Sequence, residues 1–234
     1  PQNETRFAYT AIAAKKFDLV PPIVEKLSKL DGWKGVSQLI SINSLLAQEK
    51  YDEAEKEIQQ LKVPIARDEF MLKLHTAKKD YKAMRDELDG MEKRLSPDVD
   101  VDLANALRQL VVAEKLRDVE LLNRIWKLLV DTKQIESTDA ANSVGYVAAE
   151  LNVRLDEAKA LIESALKGEP DNYAFLDSMA WVLYRQGKYA EAEEYINQAL
   201  RASEQEMARG VIFRPSTHMA TGMARISRSS TASV

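Results

Sequence analysis

PDNYAFLDSMAWVLYRQGKYAEAEEYINQAL, residues Pro170 to Leu200, is the stretch whose reading decides the fold. Pro170 ends any helix before it, because proline lacks the amide donor and its ring clashes with the preceding turn. Asp171 or Asn172 can then cap the free amides of the next helix, which the apolar spacing carries to about Gln186. Gly187 stands where a helix closes in a left-handed residue, a conformation that costs glycine no side-chain clash. Tyr189 wedges the turn. In the helix that follows, Ala192 and Ala199 lie seven apart and flank Ile196, so a nearly flat stripe faces the first helix. The segment reads as an antiparallel helical hairpin with a close crossing.

The hairpin has a copy before it. Ala158, Ile162 and Ala165 precede Ala192, Ile196 and Ala199 by 34 positions, and Gly145 precedes Ala180 by 35, which puts one extra residue in the earlier turn. Self-similarity at this period is the mark of a repeat solenoid, an open array that offers binding surface rather than a catalytic pocket. The later unit resembles the tetratricopeptide repeat through Leu176, Met179, Ala180, Leu183, Gly187, Tyr189, Ala192, Ile196, Ala199 and Leu200. The earlier one resembles it through Gly145, Leu155, Ala158, Ile162, Ala165 and Pro170, and both look most like bacterial members of that family. The resemblance implies an all-α chain, a right-handed α-solenoid of antiparallel helical hairpins.

Upstream segments keep step without the full motif. Phe17, Val24 and Leu27 recur 34 positions on as Tyr51, Ile58 and Leu61, with Ala54 at the small-residue position. Tyr81, Met84, Leu88 and Met91 give a shorter-spaced hairpin, and Leu103–Glu114 followed by Val119–Val130 gives another. Both lack the small-residue pair, so they are repeats by position alone. About six hairpins result, twice the three or so that a solenoid needs. The expected organisation is degenerate hairpins over 1–137, two well-matched units over 138–205, and a partial helix with non-repeat tail over 206–234. From Met207 onward there are four arginines and no acid, and the last 21 residues hold no leucine. Glu204–Phe213 reads as the start of a further helix interrupted by Pro215, and residues 214–234 read either as non-native sequence or as a basic Ser/Thr-rich tail, in both cases disordered unless a neighbour orders them.

Composition narrows the function. The 234 residues are 45% hydrophobic and 30% charged, with 8 glycines and 7 prolines, as a folded core requires. No run approaches the roughly 18 apolar residues of a membrane span. With no cysteine there are no disulfides or thiolate metal sites. The chain starts at Pro1 without a signal peptide and reads as a piece of a longer one, so its compartment, cytoplasm or periplasm, is not set. Before Arg201 stand 28 basic and 35 acidic residues, a net of −7, and nucleic acid, which wants a cationic stripe, is a poor partner. His75 lies in a Leu-rich helix and His218 in the tail, while phosphate loops, metal-ligand spacings and nucleophile signatures are absent. The reading is a non-catalytic protein that needs no cofactor.

In the tetratricopeptide family the first helix of each hairpin lines the binding face. Here one face of the last first helix carries Ala174, Asp177, Trp181, Tyr184 and Arg185, stepping by three or four. One unit earlier the same face carries Asp139, Asn142, Tyr146, Ala149 and Glu150. Aromatics beside Asn, Asp and Arg suit a protein or peptide partner, combining apolar area with donors and acceptors. Packing of Trp181 and Tyr184 between hairpins is the competing reading. The family's clamp for a C-terminal carboxylate is not matched, since Tyr146 and Ser178 stand where its asparagines would be. The expectation is therefore a peptide-binding or helix-binding scaffold whose partner residues are Asn142, Tyr146, Glu150, Asp177, Trp181, Tyr184 and Arg185. A second class stays open: a self-association module that assembles through exposed solenoid ends or a swapped helix.

Overall fold

Left-handed backbone residues divide the chain into hairpins. A computed structural model describes residues 1–94, 103–133, 135 and 137–208; the expectations for residues 209–234 lie outside these. The described residues form α1 (Gln2–Ala13), α2 (Val20–Ser28), α3 (Lys34–Ala47), α4 (Tyr51–Gln59), α5 (Pro64–Lys78) and α6 (Tyr81–Arg94), then α7 (Leu103–Leu116), α8 (Val119–Trp126), α9 (Thr138–Leu151), α10 (Leu155–Gly168), α11 (Tyr173–Arg185) and α12 (Tyr189–Ala208). A 3-10 turn, Phe17–Leu19, leads into α2, and a π turn, Lys127–Asp131, extends α8. Among the described residues there is no strand.

Each helix pair turns at a residue with positive φ just after its first helix, Lys15, Glu49, Lys79, Arg117, Asn152 and Gly187, and the α9–α10 turn adds a second at Arg154. Of the six that follow a first helix, only the last is a glycine. The side chains of the other five accept the left-handed region at a cost of about 1–2 kcal/mol each. Successive spacings of 34, 30, 38, 35 and 35 follow from these positions, so the upstream hairpins are repeats of variable length.

Counted from the left-handed residue, all six hairpins share one register. Seven positions back lie Ala8, Ile42, Leu72, Leu110, Gly145 and Ala180, all buried. Five positions forward lie Val20, Ala54, Met84, Leu122 and Ala192, with Ala158 six forward because its turn holds the extra residue; these too are buried. The two sets meet at the helix crossing. An ideal Cβ on Gly145 would lie 2.8 Å from the Ala158 carbonyl oxygen and 2.8 Å from Ile162 Cγ1, so α9 and α10 approach as closely as a glycine permits. By register, the third and fourth hairpins oppose Leu72 to Met84 and Leu110 to Leu122, and their larger side chains space the helices in place of the small-residue pair.

The chain divides into two compact units, residues 1–97 and 98–234, and the described residues form three hairpins in each. In the first, α1 packs on α3, and each of α2, α3, α4 and α5 on its successor; Ala8, Val20, Leu27 and Ile40 form one core cluster and Ile42, Ala54, Ile58 and Phe70 another. In the second, the first helices α7, α9 and α11 pack successively while α10 and α12 cover them from behind. Leu176, Ala180, Ile196 and Ala199 close the last crossing. Caps fall where the sequence offers them: the Asn172 side chain accepts from the Ala174 amide at 3.0 Å and Asp118 from the Leu121 amide at 2.9 Å. One segment differs from expectation. Residues 204–208 start no new helix but continue α12, because neither glycine nor proline interrupts Leu200–Ala208 and Ser203, its hydroxyl bonded to the Leu200 carbonyl at 2.8 Å, is compatible with an unbroken helix.

Candidate functional site

The helical step of four brings Asn142, Tyr146 and Glu150 to one face of α9, beside the face of α11 that carries Asp177, Trp181, Tyr184 and Arg185. Contacts tie the two rows together. The Glu150 carbonyl, at the electronegative C-terminal end of α9, accepts from Arg117 on one side and Arg185 on the other, each at 3.4 Å. Arg117 also pairs with the Glu150 carboxylate at 3.6 Å. Arg185 Nε donates to Asn152 Oδ1 at 3.2 Å, and the neighbouring Gln186 amide donates to Asp156 at 2.8 Å. These bonds fasten the last hairpin to the turn of the one before.

Aromatic rings continue the row. Arg185 lies 5.5 Å from the centroid of Trp181, Trp181 stacks on Tyr184 at 5.5 Å with 11° between planes, and Tyr184 meets Tyr189 edge-tilted at 5.3 Å. Exposure grades along this ladder: Trp181 is 7% exposed, Tyr184 intermediate and Tyr189 47% exposed. Asp177 is buried, whereas Asn142, Tyr146, Glu150 and Arg185 are half-buried. The structure thus assembles all seven residues singled out in the sequence, with Trp181 and Asp177 beneath and the others nearer the surface.

Tyr146 sits among charges. Burial, reinforced by the negative charges of Glu114, Glu150 and Asp177, pushes its phenol well above the usual tyrosine range. The Asn142 side-chain oxygen is buried without a hydrogen-bond partner, which costs about 1–3 kcal/mol for such an acceptor. Sequence reading missed Glu114, Arg117 and Asn152. Spacing from the left-handed turn residue would have placed Arg117 and Asn152, but a charged or polar turn residue carries no signal of its own.

Nothing in this arrangement groups a nucleophile with a base. Among the described residues no three or more His, Asp or Glu side chains are placed to hold a metal ion, and no helix is long and apolar enough to cross a membrane.

Comparison with known proteins fits this geometry. Residues 152–210 match the profile of the tetratricopeptide repeat family. A TPR repeat-containing protein of Pseudomonas aeruginosa is 38% identical over 100 residues, which are 43% of this chain and 17% of that protein. The chain thus spans a small part of that relative's length. The matched segment runs through α10, α11 and α12, whose Asn172 cap and Gly187 turn are those the sequence announced. Residues 152–210 are thus similar to the tetratricopeptide repeat, and the described residues form the all-α array of helical hairpins that this similarity implies.

Proposed function

We propose that this chain is a non-catalytic scaffold that receives a peptide or helix of another protein on the α9–α11 face. Tetratricopeptide repeats mediate protein–protein interaction as a class; the particular face is the inference. The observation that carries it is the joining of half-buried Tyr146, Tyr184, Glu150 and Asn142 on two packed first helices. Tyr146 and Tyr184 supply apolar area with few rotamers to freeze. Trp181 and Arg185 support this face: the stack of Trp181 on Tyr184 and the bonds of Arg185 to Asn152 and the Glu150 carbonyl hold the row in place.

Site-specific photocrosslinking in cells tests this. A benzophenone amino acid at Tyr146 or at Tyr184 captures a distinct protein, while the same probe at Gln198, exposed on α12, does not. Equal capture from all three positions refutes the assignment of the face. Capture of a second copy of this chain from 146 and 184 alone replaces it with self-association.

A further inference from the structure

The first unit carries a groove that the α9–α11 face does not involve. In the second unit successive first helices pack directly, but no comparable α3–α5 packing exists among the described residues. A cavity of about 840 Å³ opens instead between the first half of α3 and the end of α4 with the turn into α5, where Ala66 of α5 closes it. That volume falls within the range of about 300–1,000 Å³ typical of ligand sites. Its apolar lining comes from Leu39, Leu61, Val63 and Ala66. Val63, 58% exposed, and the adjacent Ile65, 72% exposed, lie together where α5 begins.

Cations outnumber the acid in its lining, two to one. Lys34 and Lys62, both exposed, line the groove and form no ion pair among the described residues. The single acid in the lining, Glu57, is engaged within the fold: its carboxylate accepts from the Ser41 hydroxyl at 3.0 Å and its carbonyl from the Gln38 amide at 3.1 Å. An incoming segment therefore meets two unpaired ammonium groups flanking apolar surface. Gly35 lines the same space, and a Cβ added there would meet nothing within 4 Å.

We propose that the α3–α5 groove docks an acidic, amphipathic segment of a partner protein, with apolar side chains against Leu39, Leu61, Val63 and Ala66 and carboxylates against Lys34 and Lys62. The complementarity is one of charge as well as shape: a basic segment would bring like charges together, and a purely apolar one would leave both ammonium groups facing unmatched surface.

The test uses the full chain and a random 12-residue peptide library displayed on phage. Peptides enriched on the wild type combine Leu, Ile, Val or Phe with Asp or Glu. The strongest binder, synthesised with a fluorescein label, loses at least tenfold in affinity for Lys34→Glu/Lys62→Glu and, by steric filling, for Gly35→Phe. Tyr146→Ala leaves its affinity within twofold. A version of the peptide with lysine at every acidic position binds at least tenfold more weakly. Should the charge-reversed variant lose helicity, Lys34→Gln/Lys62→Gln and Gly35→Phe carry the comparison. The proposal falls if no peptide is enriched, if the enriched peptides are basic, or if binding survives both the charge and the filling variants.

Discussion

Gly145→Ala tests the α9–α10 crossing. The added methyl would sit 2.8 Å from the Ala158 carbonyl oxygen, 2.8 Å from Ile162 Cγ1 and 3.3 Å from Ile162 Cδ1. Ile162 is fully buried, so its side chain has no free volume to enter, and the carbonyl moves only with the backbone of α10. Overpacking of this kind costs about 1–3 kcal/mol, and contact with a backbone atom places it in the upper half. Replacing a helical glycine by alanine returns about 1 kcal/mol. The net expectation is a destabilisation of about 1–2 kcal/mol. Gly35→Ala is the control, since its Cβ enters open space, and it should leave stability unchanged or raise it by up to about 1 kcal/mol. Urea unfolding in a Trp33→Phe background, read by the fluorescence of Trp126 and Trp181, isolates the second unit for Gly145→Ala; far-UV circular dichroism reads Gly35→Ala. If Gly145→Ala proves as stable as the parent or more so, the helices are not at glycine-limited approach and the crossing register is wrong.

Lys79→Gly should gain about 0.5–1 kcal/mol, relief of a left-handed side chain outweighing the added freedom of the unfolded chain, whereas Gly187→Ala should lose about 1 kcal/mol; thermal unfolding of both compares them directly. Tyr146 keeps its proton in the folded state beyond the ordinary tyrosine range, so its contribution to stability is complete below about pH 10 and is lost as pH rises towards the folded value. Tyr146→Phe should therefore flatten the alkaline limb of the stability curve and remove the latest-titrating phenol from the absorbance at 295 nm; an unchanged limb contradicts its placement among Glu114, Glu150 and Asp177. Asn172→Ala deletes the cap of α11 and should cost about 1 kcal/mol by urea unfolding, while Asn172→Asp should cost little.

What the sequence made legible was whatever follows from side-chain size and glycine. Gly187, the alanines at 158, 165, 192 and 199, and Gly145 each announce a steric requirement that few residues meet, so residue spacing alone places the last two hairpins in register. The upstream hairpins hid theirs. Lys15, Glu49, Lys79 and Arg117 occupy the left-handed turn position with side chains that read as ordinary solvated charge, and Met84 and Leu122 fill the small-residue position with bulk that the wider register accepts. On the candidate face, helical stepping was enough to group the seven residues. It could not show that Arg185 bonds Asn152 and the Glu150 carbonyl, because those partners lie 33 and 35 positions away and are set by how successive repeats stack. Nor could it show the α3–α5 groove, which depends on two first helices failing to close against each other.

The claim that the α9–α11 face holds the partner is tested most directly by calorimetric titration of the protein captured from Tyr146 and Tyr184. The account predicts that Tyr146→Ala/Tyr184→Ala, at unchanged helicity, loses about 2 kcal/mol of binding, roughly a thirtyfold rise in Kd. Glu193→Ala/Glu194→Ala, on the exposed side of α12, should leave binding as it is. Equal affinity for both double variants, or a loss confined to the α12 pair, would contradict it.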